Sequence, residues 1–138
     1  MTVRAFLDTN VLVYLYDSAD ERKQRRAREV VMDTSMYHVV STQVLGEFYV
    51  TVTRRLVSAL SPEQAKDAVS ALAGLPVAAV DRELVAAAIS TSIEHQLSYW
   101  DGLILETAVA NGCEILLTED MASGSTLRGV RIENPFSQ

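Results

Sequence analysis

Apolar residues in this chain fall into short continuous runs, separated by longer stretches where they recur every three or four positions. That alternation predicts strands interleaved with helices. Val3 to Asp8 reads as a buried strand, and Val11 to Tyr16 as a short helix that breaks at Asp17-Ser18. A charged helix over 20–34 carries Ala27, Val30 and Val31 as its apolar marks, and His38-Val39-Val40 follows as a second strand. Ser41 or Thr42 can cap the next helix, about 43–57, whose stripe is Val44, Leu45, Phe48, Val52 and Leu56. Ser61-Pro62-Glu63-Gln64 is a helix start, with a serine cap, proline at the first helical position and Gln64 set for a capping box. That helix should stop at Gly74. Val77 to Val80 gives a third strand, and Asp81 caps a helix through about Leu97 whose core stripe is Ala86, Ile89, Ile93 and Leu97. Another helix runs from near Trp100-Asp101 to before Gly112; Ile115 to Thr118 and Val130 to Ile132 are the fourth and fifth strands. The expected class is α/β: a three-layer α/β/α domain with a mostly parallel five-stranded sheet, spanning residues 1–138 as one unit.

Composition narrows the options. With 138 residues and 49% hydrophobic content, the chain can bury a real core. No run approaches the roughly 18–20 apolar residues needed to cross a bilayer, and Met1-Thr2-Val3-Arg4 does not open a signal peptide. Cys113 is the single cysteine, which excludes an intramolecular disulfide and a cysteine-rich zinc site. A cytoplasmic protein with no membrane contact is therefore expected. The net charge of -6, from 12 Lys plus Arg against 18 Asp plus Glu, argues against charge-driven binding to duplex nucleic acid. An enzyme acting on nucleic acid remains open, because bound metals neutralise an acidic centre and a few arginines can hold phosphates at its rim. The basic runs are Arg22-Lys23-Gln24-Arg25-Arg26-Ala27-Arg28 and Arg54-Arg55.

Four apolar runs contain or end at an acid: Asp8 after Phe6-Leu7, Glu47 before Phe48, Asp101 after Tyr99-Trp100, and Asp120 after Leu117-Thr118-Glu119. Carboxylates are rarely buried unless paired or metal-bound, and when gathered they raise one another's pKa unless a cation compensates them. Asp8 ends the first strand and Asp120 follows the fourth, so both can stand at the carboxyl edge of a parallel sheet, where ligands bind. Asp101 begins a helix whose dipole favours negative charge, and Glu47 lies about one turn into its own helix. This donor set suits Mg²⁺ or Mn²⁺, with coordination places left for water and substrate oxygens. Metal-assisted phosphodiester hydrolysis then needs no histidine or cysteine nucleophile. Thr9, Asn10 and Thr118 are neutral neighbours able to orient the ligands. Each acid also has an ordinary explanation: a strand-end cap for Asp8, a helix cap for Asp101, a solvated helix position for Glu47, a turn for Asp120.

A resemblance sharpens this reading. Phe6-Leu7-Asp8-Thr9-Asn10-Val11-Leu12-Val13-Tyr14 resembles the opening motif of a PIN domain, and Glu47, Asp101 and Asp120 match that family's later acidic positions. Gly129-Val130-Arg131-Ile132-Glu133-Asn134-Pro135-Phe136 is similar to the close of the bacterial toxin-like (VapC-like) members, so the likeness spans essentially the whole chain. It implies a PIN-like fold and a metal-dependent ribonuclease with Asp8, Glu47, Asp101 and Asp120 as the acidic centre, leaving a 5′-phosphate and a 3′-hydroxyl. It also implies a small antitoxin that blocks the site, and a homodimer. Gly102 departs from the alanine more usual beside the third acid, and is expected to loosen the helix start.

Other residues carry open alternatives. Arg54 could meet substrate phosphate or an antitoxin carboxylate; Arg25, Arg26 and Arg28 could form an RNA rim or a solvated face. Glu119 is a possible extra ligand, while Glu106 reads as local electrostatics. Tyr14, Leu15 and Tyr16 could supply a dimer or antitoxin surface, and an inhibitor's apolar anchors would pack near Val13–Tyr16 and Phe48. Tyr99 and Trp100 could stack on a base but read first as helix packing; His38, His95 and Cys113 carry no catalytic role. An aspartyl-nucleophile phosphatase is a second reading, although it would want an acid where Asn10 stands. A non-catalytic metal-binding interaction module is a third.

Overall fold

The computed structural model describes residues 2–137. β1 (Val3–Leu7), α1 (Thr9–Leu15), α2 (Glu21–Met32), β2 (Met36–Ser41), α3 (Thr42–Arg54) and α4 (Pro62–Leu72) make up the first half. β3 (Val77–Ala78), α5 (Arg82–His95), α6 (Tyr99–Ala110), β4 (Ile115–Leu117), β5 (Thr126–Leu127) and β6 (Val130–Glu133) follow. The sheet runs β3-β2-β1-β4-β6-β5, and every pairing is parallel except β5 with β6. From β1 the chain moves outward through β2 and β3, then crosses back to place β4 on the other side of β1. The β1–β4 boundary is therefore the switch point of the sheet, where diverging connections leave a crevice.

The expected α/β/α class is observed, with six strands rather than five. The missed strand, Thr126–Leu127, is too short to show a period. It pairs with β6 through a two-residue turn in which Arg128 and Gly129 both take left-handed backbone conformations, φ 52° and 79°. Such a primed turn follows the right-handed twist of a hairpin. Arg128 is held there by two hydrogen bonds to the buried Glu106 carboxylate, at 2.9 and 3.2 Å, and Thr91 donates a third at 2.8 Å. The local electrostatics expected at Glu106 thus fasten the sheet's edge hairpin to α5 and α6.

Helix starts follow the cap chemistry. Ser41 caps α3, Ser61 and Gln64 complete the capping box of α4, and Asp81 caps α5. At α6 the cap is Ser98, which accepts from the Asp101 backbone N–H at 3.1 Å and leaves the Asp101 carboxylate free of that task. The α4 helix closes at Leu72, just short of the expected stop. Phe6, Leu12, Phe48, Leu105, Leu116 and Ile132 are fully buried and build the core on both faces of the sheet.

Helix α5 departs from expectation. Its buried residues are Ala88 and Thr91, whereas Val85, Ile89 and Ile93 are 37%, 47% and 75% exposed and Ala86 also faces outward. The reason lies in α6, which is buried continuously from Gly102 to Ala108 and is approached closely by small residues of α5. A Cβ on Gly102 would stand 2.8 Å from the Ala88 carbonyl oxygen. Gly102 therefore lets two helices touch. It is not a weakness in the helix start.

Candidate active site

Asp8 is the first residue past β1 and the N-cap of α1, and it is only 6% exposed. Its Oδ1 accepts from the Thr9 backbone N–H at 2.7 Å and its Oδ2 from the Thr118 hydroxyl at 2.8 Å. Burial pushes its pKa up to about 6; the hydrogen bonds from Thr118 and Thr9 oppose this, while the charges of Asp120 and Glu47 add to it.

The remaining acids come from three other elements. Glu47, on the face of α3 beside the buried Val44 and Phe48, accepts from the Thr9 hydroxyl at 2.8 Å. Asp101 sits in the first turn of α6, and burial, then the Asp120 charge, push its pKa up. Asp120 lies in the turn after β4, where its backbone N–H donates to Thr118 Oγ1 at 3.1 Å and its Oδ2 accepts from Asn10 Nδ2 at 3.0 Å. Asn10 also receives the Glu119 backbone N–H on Oδ1 at 3.3 Å. Asp8, Glu47, Asp101 and Asp120, with Thr9 and Asn10, line one cleft of about 910 Å³ at the switch point, and Thr118 forms its buried floor.

The acids share that cleft, yet among the described residues no three His, Cys, Asp or Glu side chains converge on one point. The donor set is nevertheless all hard oxygen, the kind Mg²⁺ and Mn²⁺ select. A second observation agrees with a ligand here: Gln43 Oε1, beside Glu47, is buried with no hydrogen-bond partner among the described residues. Buried orphan acceptors are uncommon, and one on a side chain whose amide nitrogen already reaches Glu47 suits a water or ligand donor. No histidine or cysteine is among the residues lining the cleft. His38 is buried and donates from Nε2 to the Val30 carbonyl, while burial pushes the Cys113 thiol up to about 11.

Several expectations are corrected here. Arg54 does not line the cleft; Arg55, the C-cap residue where α3 gives out, does. Glu119 turns away from the cleft and is bound by Tyr14 and Lys23, so it is not an extra ligand in this arrangement. Of the basic helix, Arg22 and Arg26 donate to the backbone carbonyls of Phe136 and Pro135, which occupies them in holding the C-terminal segment. Tyr14, Leu15 and Tyr16 are half-buried against the core, Val13 and Tyr14 line the cleft, and Phe48 is fully buried. Trp100 is the reverse case: 59% exposed at the mouth of the cleft, it is not spent on helix packing. Gln43 and Arg55 are cleft residues that the sequence reading left without a site role. Gln43 alone had a visible signal, its place one turn before Glu47.

Comparison with known proteins agrees with this geometry. The PIN domain family model matches residues 5–122. Among solved structures, a toxin–antitoxin complex from Klebsiella pneumoniae superposes with a TM-score of 0.72 at 20% identity, covering 95% of this chain and 97% of that one. DNA-bound VapBC from Salmonella typhimurium gives 0.68 at 19% identity, covering 97% and 99%. Mycobacterium tuberculosis VapC20, a toxin that cleaves the sarcin-ricin loop, gives 0.65 at 21% identity, covering 81% and 86%. No curated protein sequence gives a significant match.

Proposed function

Because the chain belongs to the PIN domain family, we propose that it is a divalent-metal-dependent endoribonuclease acting as the toxin of a toxin–antitoxin pair. The observation that carries the reading is the meeting of four carboxylates from the end of β1, α3, α6 and the turn after β4 on one cleft, with Asp8 and Asp101 pushed up in pKa by burial and by the charges of Asp120 and Glu47. Mg²⁺ or Mn²⁺, held by Asp8, Glu47, Asp101 and Asp120, would supply the positive charge that activates water and offsets charge on the departing phosphodiester oxygen. The chain's own residues prepare that site. Thr9 and Thr118 fix both oxygens of Asp8, Thr9 also orients Glu47, and Asn10 holds Asp120. Arg55 stands on the cleft wall where it can take a phosphate, and Trp100 offers an exposed ring to an unpaired base. With a net charge of -6, substrate recognition rests on such local contacts and suits single-stranded or looped RNA.

Two partners belong to this reading. A small antitoxin would offer Arg or Lys to the acids and seat apolar side chains along Val13, Val50, Leu56 and Ile104 of the cleft wall. A second copy would cover the exposed stripe Val85, Ile89 and Ile93 of α5, one turn apart along one face. The aspartyl phosphatase reading fares worse: both Asp8 oxygens are engaged, and the position two residues on is an asparagine occupied with Asp120. Among the described residues no helix is long and apolar enough to cross a membrane.

The test is incubation of the purified protein, freed of any partner, with total cellular RNA and Mg²⁺, followed by mapping of new ends. Discrete cuts bearing 5′-phosphates, abolished by chelation and by Asp101→Asn, are expected. Tight Mn²⁺ binding without any cleavage would favour the interaction-module reading instead.

A further inference from the structure

Glu119 and Asp120 are neighbours held by different partners. Asp120 lines the cleft, while Glu119 reaches back to α1 and α2. Its Oε1 accepts from the Tyr14 hydroxyl at 2.5 Å and its Oε2 from Lys23 Nζ at 2.6 Å; Lys23 also donates to the Tyr14 hydroxyl at 3.1 Å. The three groups close a ring. Both charged side chains are three-quarters buried, at 24% and 23% exposure, so the pair is screened far less than a surface ion pair. The ring is walled by aromatic contact: Tyr14 meets Phe136 edge-on at 4.8 Å between centroids, and Lys23 Nζ lies 4.8 Å from the Tyr14 centroid. Lys23 itself is set by the first turn of α2, where its backbone N–H donates to the Asp20 cap.

We propose that Lys23, acting with Tyr14 through Glu119, is a positioning residue for Asp120. The turn after Leu117 lies outside the sheet, so the ladder does not fix the direction of its side chains. Asn10 holds it from the cleft side, by Oδ1 on the Glu119 N–H and Nδ2 on the Asp120 carboxylate. Tyr14, a cleft residue of α1, and Lys23 of α2 hold it by the Glu119 carboxylate. With Glu119 pulled outward, the next residue must face the cleft. The same contact keeps a fifth carboxylate out of the acidic centre. This assignment rests on the metal-nuclease reading of the cleft.

Its electrostatic alternative predicts the opposite sign. If Lys23 acted only as a nearby positive charge, removing it would make the acidic centre bind cations more tightly, and so would a released Glu119. A positioning role predicts weaker binding. Lys23→Met keeps the stem and removes the charge; Glu119→Gln breaks the same contact from the other partner. MnCl₂ binding by calorimetry should weaken about tenfold in each, the scale of lost support behind a metal ligand. The double variant should lose no more than either single one, since both act through one contact. Amide hydrogen exchange at Glu119 and Asp120 should quicken in Lys23→Met, and Lys23→Arg should recover part of both effects. In RNA cleavage the Mg²⁺ concentration for half-maximal rate should rise while the rate at saturating Mg²⁺ stays nearly constant. Unchanged or tighter Mn²⁺ binding in Lys23→Met overturns the proposal, even if its melting temperature falls. A wild-type protein that binds Mn²⁺ but cleaves no RNA sinks the nuclease reading alone and leaves the binding comparison to judge Lys23. A wild-type protein that binds no Mn²⁺ sinks both.

Discussion

The Thr118 hydroxyl donates to Asp8 Oδ2 at 2.8 Å, tying the first residue after β4 to the first residue after β1. The two strands stand side by side in register, Leu7 opposite Leu117, so the contact is a consequence of parallel pairing at the switch point. The same hydroxyl oxygen accepts from the Asp120 backbone N–H, which lets one threonine organise two of the four acids.

Thr118→Val should raise the Asp8 pKa further above about 6, because the hydrogen bond from Thr118 is what most opposes the effect of burial. Carboxyl carbon NMR of the metal-free protein should place the wild-type midpoint near about 6 and the variant's higher. The acid limb of metal-dependent cleavage should move upward in pH with it. An unchanged midpoint would show that the hydrogen bond does not control Asp8.

Asp8→Asn should abolish cleavage and yet stabilise the metal-free protein. The folded-state pKa, about 6, lies above the ordinary 3.8, so the proton-linked stabilisation is full below pH 3.8 and is lost as pH rises through about 6. Near pH 7.5 the ionised carboxylate is a cost that asparagine removes, a gain on the order of 1–3 kcal/mol from a shift of this size. Denaturant melts of both proteins in chelator, from pH 4 to 8, check the sign: the difference should open as pH rises.

Gly102→Ala should destabilise the fold although alanine is the better helix former. The added Cβ would sit 2.8 Å from the Ala88 carbonyl oxygen, forcing α5 and α6 apart. Overpacking of this kind costs about 1–3 kcal/mol, more than the roughly 1 kcal/mol of helix propensity gained. Chemical denaturation reads the balance; a more stable variant would mean that the helices can shift cheaply.

Ile93→Lys should shift the protein from dimer toward monomer in light scattering with little change in its far-ultraviolet circular dichroism. Ile93 is 75% exposed on a stripe with Ile89 and Val85, so a charge there costs the monomer nothing and an apolar interface several contacts. A wild-type protein already monomeric at high concentration would refute the second-copy assignment of this face.

Arg55→Ala should raise the KM for RNA about tenfold, the loss of one charge-assisted phosphate contact, with kcat little changed. Arg54→Ala should leave both near wild type, since Arg54 does not line the cleft and Arg55 does. Paired steady-state kinetics on a single oligoribonucleotide separate the two.

The sequence by itself determined the elements and their order, because strand and helix periods, cap residues and acids at element ends are local properties. Ser61 through Gln64 starts a helix in any context that allows one, and Asp8 follows an apolar run whatever packs on it. It also marked the four acids, since a carboxylate beside a buried run is costly without a purpose. What only the tertiary structure decided is how those residues meet. Ile89 and Ile93 carry the same pattern as a core stripe, yet α6 accepts the small side of α5, and close helix approach at Gly102 turns the large side outward. Arg54 and Arg55 are indistinguishable by type, and only the folded chain puts Arg55 on the cleft wall and leaves Arg54 off it. Glu119 and Asp120 are adjacent acids that only the family resemblance ranked; in the fold Lys23 and Tyr14, distant in sequence, bind Glu119, and Asp120 lines the cleft. Local patterns fix which groups the chain presents, whereas the direction each faces depends on long-range packing, which no short window of sequence contains.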